Sequence, residues 1–218
     1  MMAVTSIQAG YWRNSLTLFD HAVAVTDNNV AALNNLGGAL MNAGRIDEAI
    51  NRFSEAVSVE PGYYPAWNNL GFAFYHGGDL KKSLQSLKRA LSLNPRFAKA
   101  HNNRGLVALK QGELEEAIRH FRRAAEIDPG YTDALINIGF TEYSLGRYDD
   151  AVLALQETLK IRPNDDHAYN ILGAVLYRQG DVPQAVAHFR EALRINPGNR
   201  EAAGNLKAVI SVMEERKK

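Results

Sequence analysis

Cysteine is absent from this 218-residue chain, which excludes disulfides, thiolate nucleophiles and cysteine-containing zinc sites. An excess of charge of either sign is missing as well, with 25 basic residues standing against 24 acidic ones. Binding to a nucleic-acid backbone draws much of its affinity from neutralised phosphates, so no nucleic-acid partner is expected. No apolar run approaches the roughly 20 residues that a membrane helix needs, and direct membrane insertion is not expected. The first residues, Met1-Met2-Ala3-Val4-Thr5-Ser6-Ile7, lack both a basic flank and a long apolar segment and do not read as a signal peptide. A cysteine-free chain suits the cytoplasm, which is slightly favoured, and is compatible with a periplasm; the compartment is otherwise unassigned. The histidines (His21, His76, His101, His120, His167 and His188) never reach metal-ligand spacing within a helix, and no glycine-rich phosphate loop occurs. No catalytic residue, metal site or cofactor is assigned, and the chain is not expected to be an enzyme.

What the sequence does have is a period. Gly37, Gly71, Gly105, Gly139 and Gly173 are each 34 residues apart, as are Gly44, Gly78, Gly112, Gly146 and Gly180. Pro61, Pro95, Pro129, Pro163 and Pro197 keep the same step. Numbering a unit from Tyr64, the residues Trp67, Leu70, Gly71, Phe74 and Tyr75 recur at three- and four-residue steps and predict one apolar helix face. Gly78-Asp79 breaks it. Leu80, Leu84, Leu87, Ala90, Leu91 and Leu93 predict a second helix, ended by Asn94-Pro95 because proline cannot continue a helix and restrains the residue before it. Two helices joined by so short a turn lie antiparallel. Gly71 sits in mid-helix although glycine there costs about 1 kcal/mol relative to alanine, so a neighbouring backbone is expected to lie against it. Ala49, Ser83, Ala117, Ala151 and Ala185 share one second-helix register, and Phe53, Leu87, Phe121, Leu155 and Phe189 share another. Small and large residues would thus interdigitate in the core.

This pattern resembles the tetratricopeptide repeat (TPR). Trp67, Leu70, Gly71, Phe74, Ala90 and Pro95 stand where that family places its signature residues. The resemblance implies an all-α fold, a right-handed superhelical α-solenoid of antiparallel helix pairs, forming a single array over residues 1–218. Full repeats are expected at 30–63, 64–97, 98–131, 132–165 and 166–199, with an incomplete repeat at 1–29 and a solvating capping helix at 200–218. Met1, Met2, Val4 and Ile7 fall on the shortened first unit. The stretch Tyr11 to Phe19 resembles the junction preceding repeat arrays in some bacterial multi-pass membrane proteins related to sugar transferases.

In such arrays the first helices line a concave groove, which is the expected ligand surface. The sixth position reads Asn35, Asn69, Asn103 and Asn137, then Ile171, then Asn205; the fifth adds Asn34, Asn68, Asn102 and Asn170. An amide side chain offers both donors and an acceptor, so it can grip a peptide group through its N–H and its C=O. The ladder resembles that in the peptide-binding repeat domain of O-linked N-acetylglucosamine transferase. At the ninth position Phe72, Leu106 and Phe140 are the apolar groove candidates. Tyr75, Tyr143 and Tyr177 at the twelfth are read as packing between units. A carboxylate clamp of the kind that captures chaperone tails is not expected, since only Lys99 matches its cations.

Repeat three departs from the pattern. Arg104 takes the seventh position, where the other repeats have leucine or isoleucine, and Glu142 takes the eleventh position of the next repeat. These two single charges are expected to pair. Runs such as Lys81-Lys82 and Arg122-Arg123 read as solvated faces of second helices. The expected function is a protein-interaction scaffold whose partner is a protein, presented as an extended peptide or a partner helix. The alternatives are a homo-oligomer assembling through the first unit, and a soluble accessory domain of a larger membrane-bound glycosyltransferase-like protein.

Overall fold

The computed structural model describes residues 15–26 and 29–215. Met1, Met2, Val4, Ile7 and Tyr11 to Asn14, and the end Arg216-Lys217-Lys218, lie outside the described residues. Among the described residues the secondary structure is helical: α1 (Ser15–Val25), α2 (Val30–Asn42), α3 (Ile46–Val59), α4 (Tyr64–His76), α5 (Leu80–Leu93), α6 (Ala98–Gln111), α7 (Leu114–Ile127), α8 (Thr132–Ser144), α9 (Tyr148–Ile161), α10 (Asp166–Gln179), α11 (Val182–Ile195) and α12 (Arg200–Glu215). First helices α2, α4, α6, α8, α10 and α12 begin 34 residues apart, and so do the second helices α3, α5, α7, α9 and α11. The chain falls into two compact units, residues 1–107 and 108–218.

The turn inside each repeat is short because its residues serve both helices. Gly44, Gly78, Gly112, Gly146 and Gly180 all have positive φ, between 73° and 90°, a conformation that a side chain would strain. The residue after each glycine donates its N–H back to the first helix: Arg45 to Leu40, Asp79 to Phe74, Glu113 to Ala108, Arg147 to Glu142 and Asp181 to Leu176, each at 2.9 Å. These bonds satisfy carbonyls that a helix end leaves open. Asp79 and Asp181 then cap the second helix, accepting from Lys82 N at 3.0 Å and Gln184 N at 3.1 Å. The Lys82 N–H holds the Asp79 carboxyl below its ordinary pKa.

Within the repeats α2 packs on α3, α4 on α5, α8 on α9 and α10 on α11; first helices also meet first helices, α2 on α4, α8 on α10 and α10 on α12. The mid-helix glycines make the intra-repeat packing close. A Cβ on Gly37 would lie 2.5 Å from the Phe53 ring, one on Gly71 2.7 Å from Leu87 Cγ, one on Gly139 2.6 Å from Leu155 Cγ and one on Gly173 2.7 Å from the Phe189 ring. The neighbour expected against Gly71 was backbone; what meets it first is a side chain, with the Ser83 carbonyl behind at 3.2 Å. Phe53, Leu87, Phe121, Leu155 and Phe189 are all buried, each worth about 1.5–3 kcal/mol of burial. Ser83, in the alanine register, is tolerated because its hydroxyl donates to Gly71 O at 2.7 Å.

The two singular charges are partnered differently from the sequence expectation. Glu142 is fully buried, and its carboxylate accepts from Arg122 Nη2 at 2.8 Å and Arg147 Nη1 at 3.5 Å. Arg147 reaches Glu115 as well, at 3.2 Å. Arg104 Nε is buried with no hydrogen-bond partner, and burial holds the guanidinium below its ordinary pKa. The expected Arg104–Glu142 pair is therefore corrected: the cations at Glu142 are Arg122 and Arg147. Arg122, read from sequence as part of a solvated face, is half exposed and bonds a buried carboxylate all the same.

Opposite effects follow for the two arginines. Arg122→Ala should destabilise the fold by about 1–3 kcal/mol, because a buried acceptor loses its short bond. Arg104→Leu should leave stability unchanged or raise it, since a partly desolvated charge is replaced by the residue type the other repeats use. Urea denaturation of both variants checks this; an Arg104→Leu loss as large as that of Arg122→Ala would refute it.

His188 in α11 stacks on Tyr169 of α10, ring centroids 5.7 Å apart and planes at 27°. Burial lowers its pKa from 6.5, against the opposing pull of Asp181 and Glu191. The unfolded chain thus binds the proton more readily, so this contribution to stability is complete above about pH 7 and is lost as pH falls through 6.5 towards the folded pKa. His188→Gln should show a shallower fall in melting temperature between pH 7.5 and 5.5 than the parent chain. Parallel curves would exclude His188 as the group responsible.

Candidate functional site

Three pairs of successive first helices are joined through amides. Asn69 Nδ2 donates to Asn34 Oδ1 at 2.9 Å, Asn103 Nδ2 to Asn68 Oδ1 at 2.9 Å, and Asn205 Nδ2 to Asn170 Oδ1 at 2.9 Å. Each bond joins the sixth position of one repeat to the fifth position of the repeat before it, 35 residues earlier. In the first unit Asn68 Nδ2 also donates to Asn69 Oδ1 at 3.1 Å. The chain Asn103 to Asn68 to Asn69 to Asn34 is thus a continuous relay of four amides, whose members polarise one another. In the second unit the relay runs from Asn205 to Asn170 and on to Glu201 Oε2, at 3.4 Å.

The predicted site residues divide by exposure. Asn68, Asn102 and Asn103 are buried, Asn34, Asn69 and Asn137 are half-buried, and Asn35 is exposed. Fifth- and sixth-position amides are therefore first a seam between helices, and the half-buried members also border solvent. At the ninth position Phe72 is half-buried and packs its ring edge on His76, centroids 4.4 Å apart, with Tyr75 at 6.5 Å. Leu106 is half-buried, whereas Phe140 is 43% exposed.

One pair of seam positions carries no amide. The bonding rule couples position 136 with position 171, and both are isoleucine. Both pack against the core cluster of the second unit that contains Leu155, Leu172 and Val175. The sequence alone shows Ile171 as an interruption of the sixth-position ladder; its match with Ile136 becomes meaningful only once the 35-residue coupling is known. Beside this apolar rung lies a cavity of about 500 Å3 among α8, α10 and α12. Its apolar lining is Phe140, Tyr143, Ile171, Ala174 and Gly204; its polar lining is Asn170, Asn205, His167, Arg200 and Glu201. Of the groove residues read from the sequence, this cavity brings in Phe140 and the ladder amides Asn170 and Asn205. Tyr143, His167, Ile171, Ala174, Arg200, Glu201 and Gly204 were not among them.

No cluster of three or more His, Asp or Glu side chains placed to hold a metal ion occurs among the described residues. Nor is any described helix long and apolar enough to cross a membrane.

The seam predicts a strongly non-additive pair. Asn103→Ile alone should cost about 1–3 kcal/mol, because the buried Asn68 oxygen loses its donor. The double variant Asn68→Ile/Asn103→Ile, which copies the natural 136/171 pair, should recover at least half of that loss. A double-mutant cycle in urea gives the coupling directly. Additive losses would show that the amide bond does not join these positions energetically.

The comparisons with known proteins agree with this architecture. The family model for the Cilia and flagella-associated protein 70 C-terminal domain matches residues 1–209. No protein of curated function matches the chain in sequence. Among solved structures, MamA is 25% identical with a TM-score of 0.64, over 76% of this chain and 97% of its own. The pilF protein of Pseudomonas aeruginosa is 20% identical with a TM-score of 0.76, over 88% of this chain and 87% of its own. YrrB, described as a TPR protein with an unusual peptide-binding site, is 17% identical with a TM-score of 0.63, over 87% and 97% respectively. With its helix pairs in 34-residue register and the family model covering nearly its whole length, the chain belongs to the Cilia and flagella-associated protein 70 C-terminal domain family and carries the tetratricopeptide-repeat fold.

Proposed function

We propose that this chain is a protein-interaction scaffold that binds an extended peptide or a partner helix along its first-helix face. The observation that carries the reading is the cavity of about 500 Å3 in the second unit, where the exposed Phe140 stands beside the bonded amides of Asn170 and Asn205. Phe140 there offers an open aromatic face that a partner's side chain can cover. The amides suit the task because each has two donors and two lone pairs, and the seam uses some of them. What remains can bond the N–H and C=O of a peptide main chain, and the seam fixes the amide planes beforehand. The same argument extends to the half-buried Asn34, Asn69 and Asn137, and to the exposed Asn35. Asn68 holds Asn69 in place, and Asn103 holds Asn68. Phe72 and Leu106 continue the apolar line in their own repeats. YrrB, a peptide-binding protein of the same fold by its description, is consistent with this use of the architecture.

Contacts of this kind contribute about 0.5–1.5 kcal/mol each, so a short peptide should bind with a Kd on the order of micromolar. The test is selection of peptides from a random display library on the whole chain, followed by calorimetry against Phe140→Ala and Asn69→Ala. Binding should weaken about tenfold or more for at least one variant, with helicity unchanged. Selected peptides that bind both variants as well as the parent would place the site elsewhere and overturn the reading.

A further inference from the structure

Resting on that reading, we infer that the cavity among α8, α10 and α12 is a side-chain pocket selecting one bulky aromatic residue in an otherwise uncharged extended peptide. Four features converge on it, and the clearest is Gly204. Glycine in a helix interior is destabilising relative to alanine. Gly37, Gly71, Gly139 and Gly173 have a reason for being glycine, since a Cβ on any of them would strike a core side chain at 2.7 Å or less. Gly204, like Gly38 in α2, has no such reason: a Cβ on either would meet nothing within 4 Å. Gly204 stands at the fifth position, where four repeats place asparagine, and it opens onto the cavity. It leaves that side of the cavity without a side chain.

The second feature is the rung at 136 and 171. Exchange of both amides for isoleucine removes the polar groups that would otherwise face an entering apolar side chain, and Ile171 lines the cavity. The third is the pair of aromatic walls. Phe140 is exposed and Tyr143 is half-buried, which suits edge or offset contact with another ring. The volume of about 500 Å3 lies within the roughly 300–1,000 Å3 usual for ligand pockets and exceeds what a methyl or isopropyl group would occupy. The fourth is charge. Arg200 and Glu201 bring one charge of each sign, so neither an acidic nor a basic segment has a complementary field. What complements a balanced lining with Asn170 and Asn205 beside it is a neutral main chain. The assigned partner is therefore a protein segment with a bulky aromatic side chain between uncharged neighbours.

The test uses the whole chain and a set of end-blocked nine-residue alanine–serine peptides that differ only at the central residue: Trp, Phe, Leu, Ala, Glu or Lys. Binding is followed by amide chemical shifts in 15N-labelled protein. The expected result is an affinity for the Trp and Phe peptides about tenfold or more above that for the Ala peptide, with shifts centred on Phe140, Ile171, Gly204 and Asn205. Gly204→Leu should abolish that preference while raising the melting temperature, because the side chain enters open space and the helix gains a better former. Ile136→Asn/Ile171→Asn, which restores the amide rung, should reduce the preference at least threefold. Equal binding of all six peptides with shifts at the asparagines would overturn the pocket while leaving main-chain recognition standing. Shifts confined to second helices, or no binding by any peptide, would overturn both.

Discussion

The contact on which the rest depends is that between a large second-helix side chain and a first-helix glycine. Phe53 on Gly37, Leu87 on Gly71, Leu155 on Gly139 and Phe189 on Gly173 leave no room for even one added carbon. That closeness sets the distance and rotation between the two helices of a repeat. It explains why Ala49, Ser83, Ala117, Ala151 and Ala185, all without accessible surface, must be small, and why serine is admitted only with its hydroxyl bonded to the Gly71 carbonyl. Once the rotation is fixed, the fifth, sixth and ninth positions of the first helix have a fixed direction. The seam and the cavity are consequences of a core contact that neither of them touches.

Much of this was legible in the sequence, because glycine and proline report backbone needs that local context cannot override. Positive φ at Gly44, Gly78, Gly112, Gly146 and Gly180 and the 34-residue step of the helix starts follow from punctuation alone. Pairing of side chains across helices was not legible to the same degree. Glu142 was rightly read as a charge that needs a partner, but the partners are Arg122 on a second helix and Arg147 in a turn. Long basic side chains can lie with most of their length in water and still deliver the guanidinium to a buried oxygen, so an exposed-looking arginine carries no mark of the bond it makes. The asparagines were identified as a ladder, while their bonds to one another were not. Periodicity tells which residues share a face, and the coupling of positions 35 residues apart is a property of how two helices cross.

The site divides along the same line. The exposure of Phe140 was legible because a ninth-position apolar residue that does not reach the core must face outward. The opening at Gly204 was not legible, because this glycine interrupts no glycine series. Its meaning is a vacancy, and a vacancy exists only relative to α8 and α10 around it.

Why the seam should be polar at all has a thermodynamic answer. An amide bonded to an amide contributes only about 1 kcal/mol net, because the unfolded chain bonds water instead. An unmatched amide in a buried place costs more than that, whereas two isoleucines packed together cost little or nothing by comparison. Changes at one end of a rung are therefore penalised and changes at both ends are nearly free. The isoleucine pair at 136 and 171, beside amide pairs at 34 and 69, 68 and 103, and 170 and 205, has the pattern this asymmetry predicts. A fold built this way keeps its stability while the chemistry of its first-helix face is set rung by rung. Three rungs are bonded amides, and the isoleucine rung differs without disturbing the helices that present it.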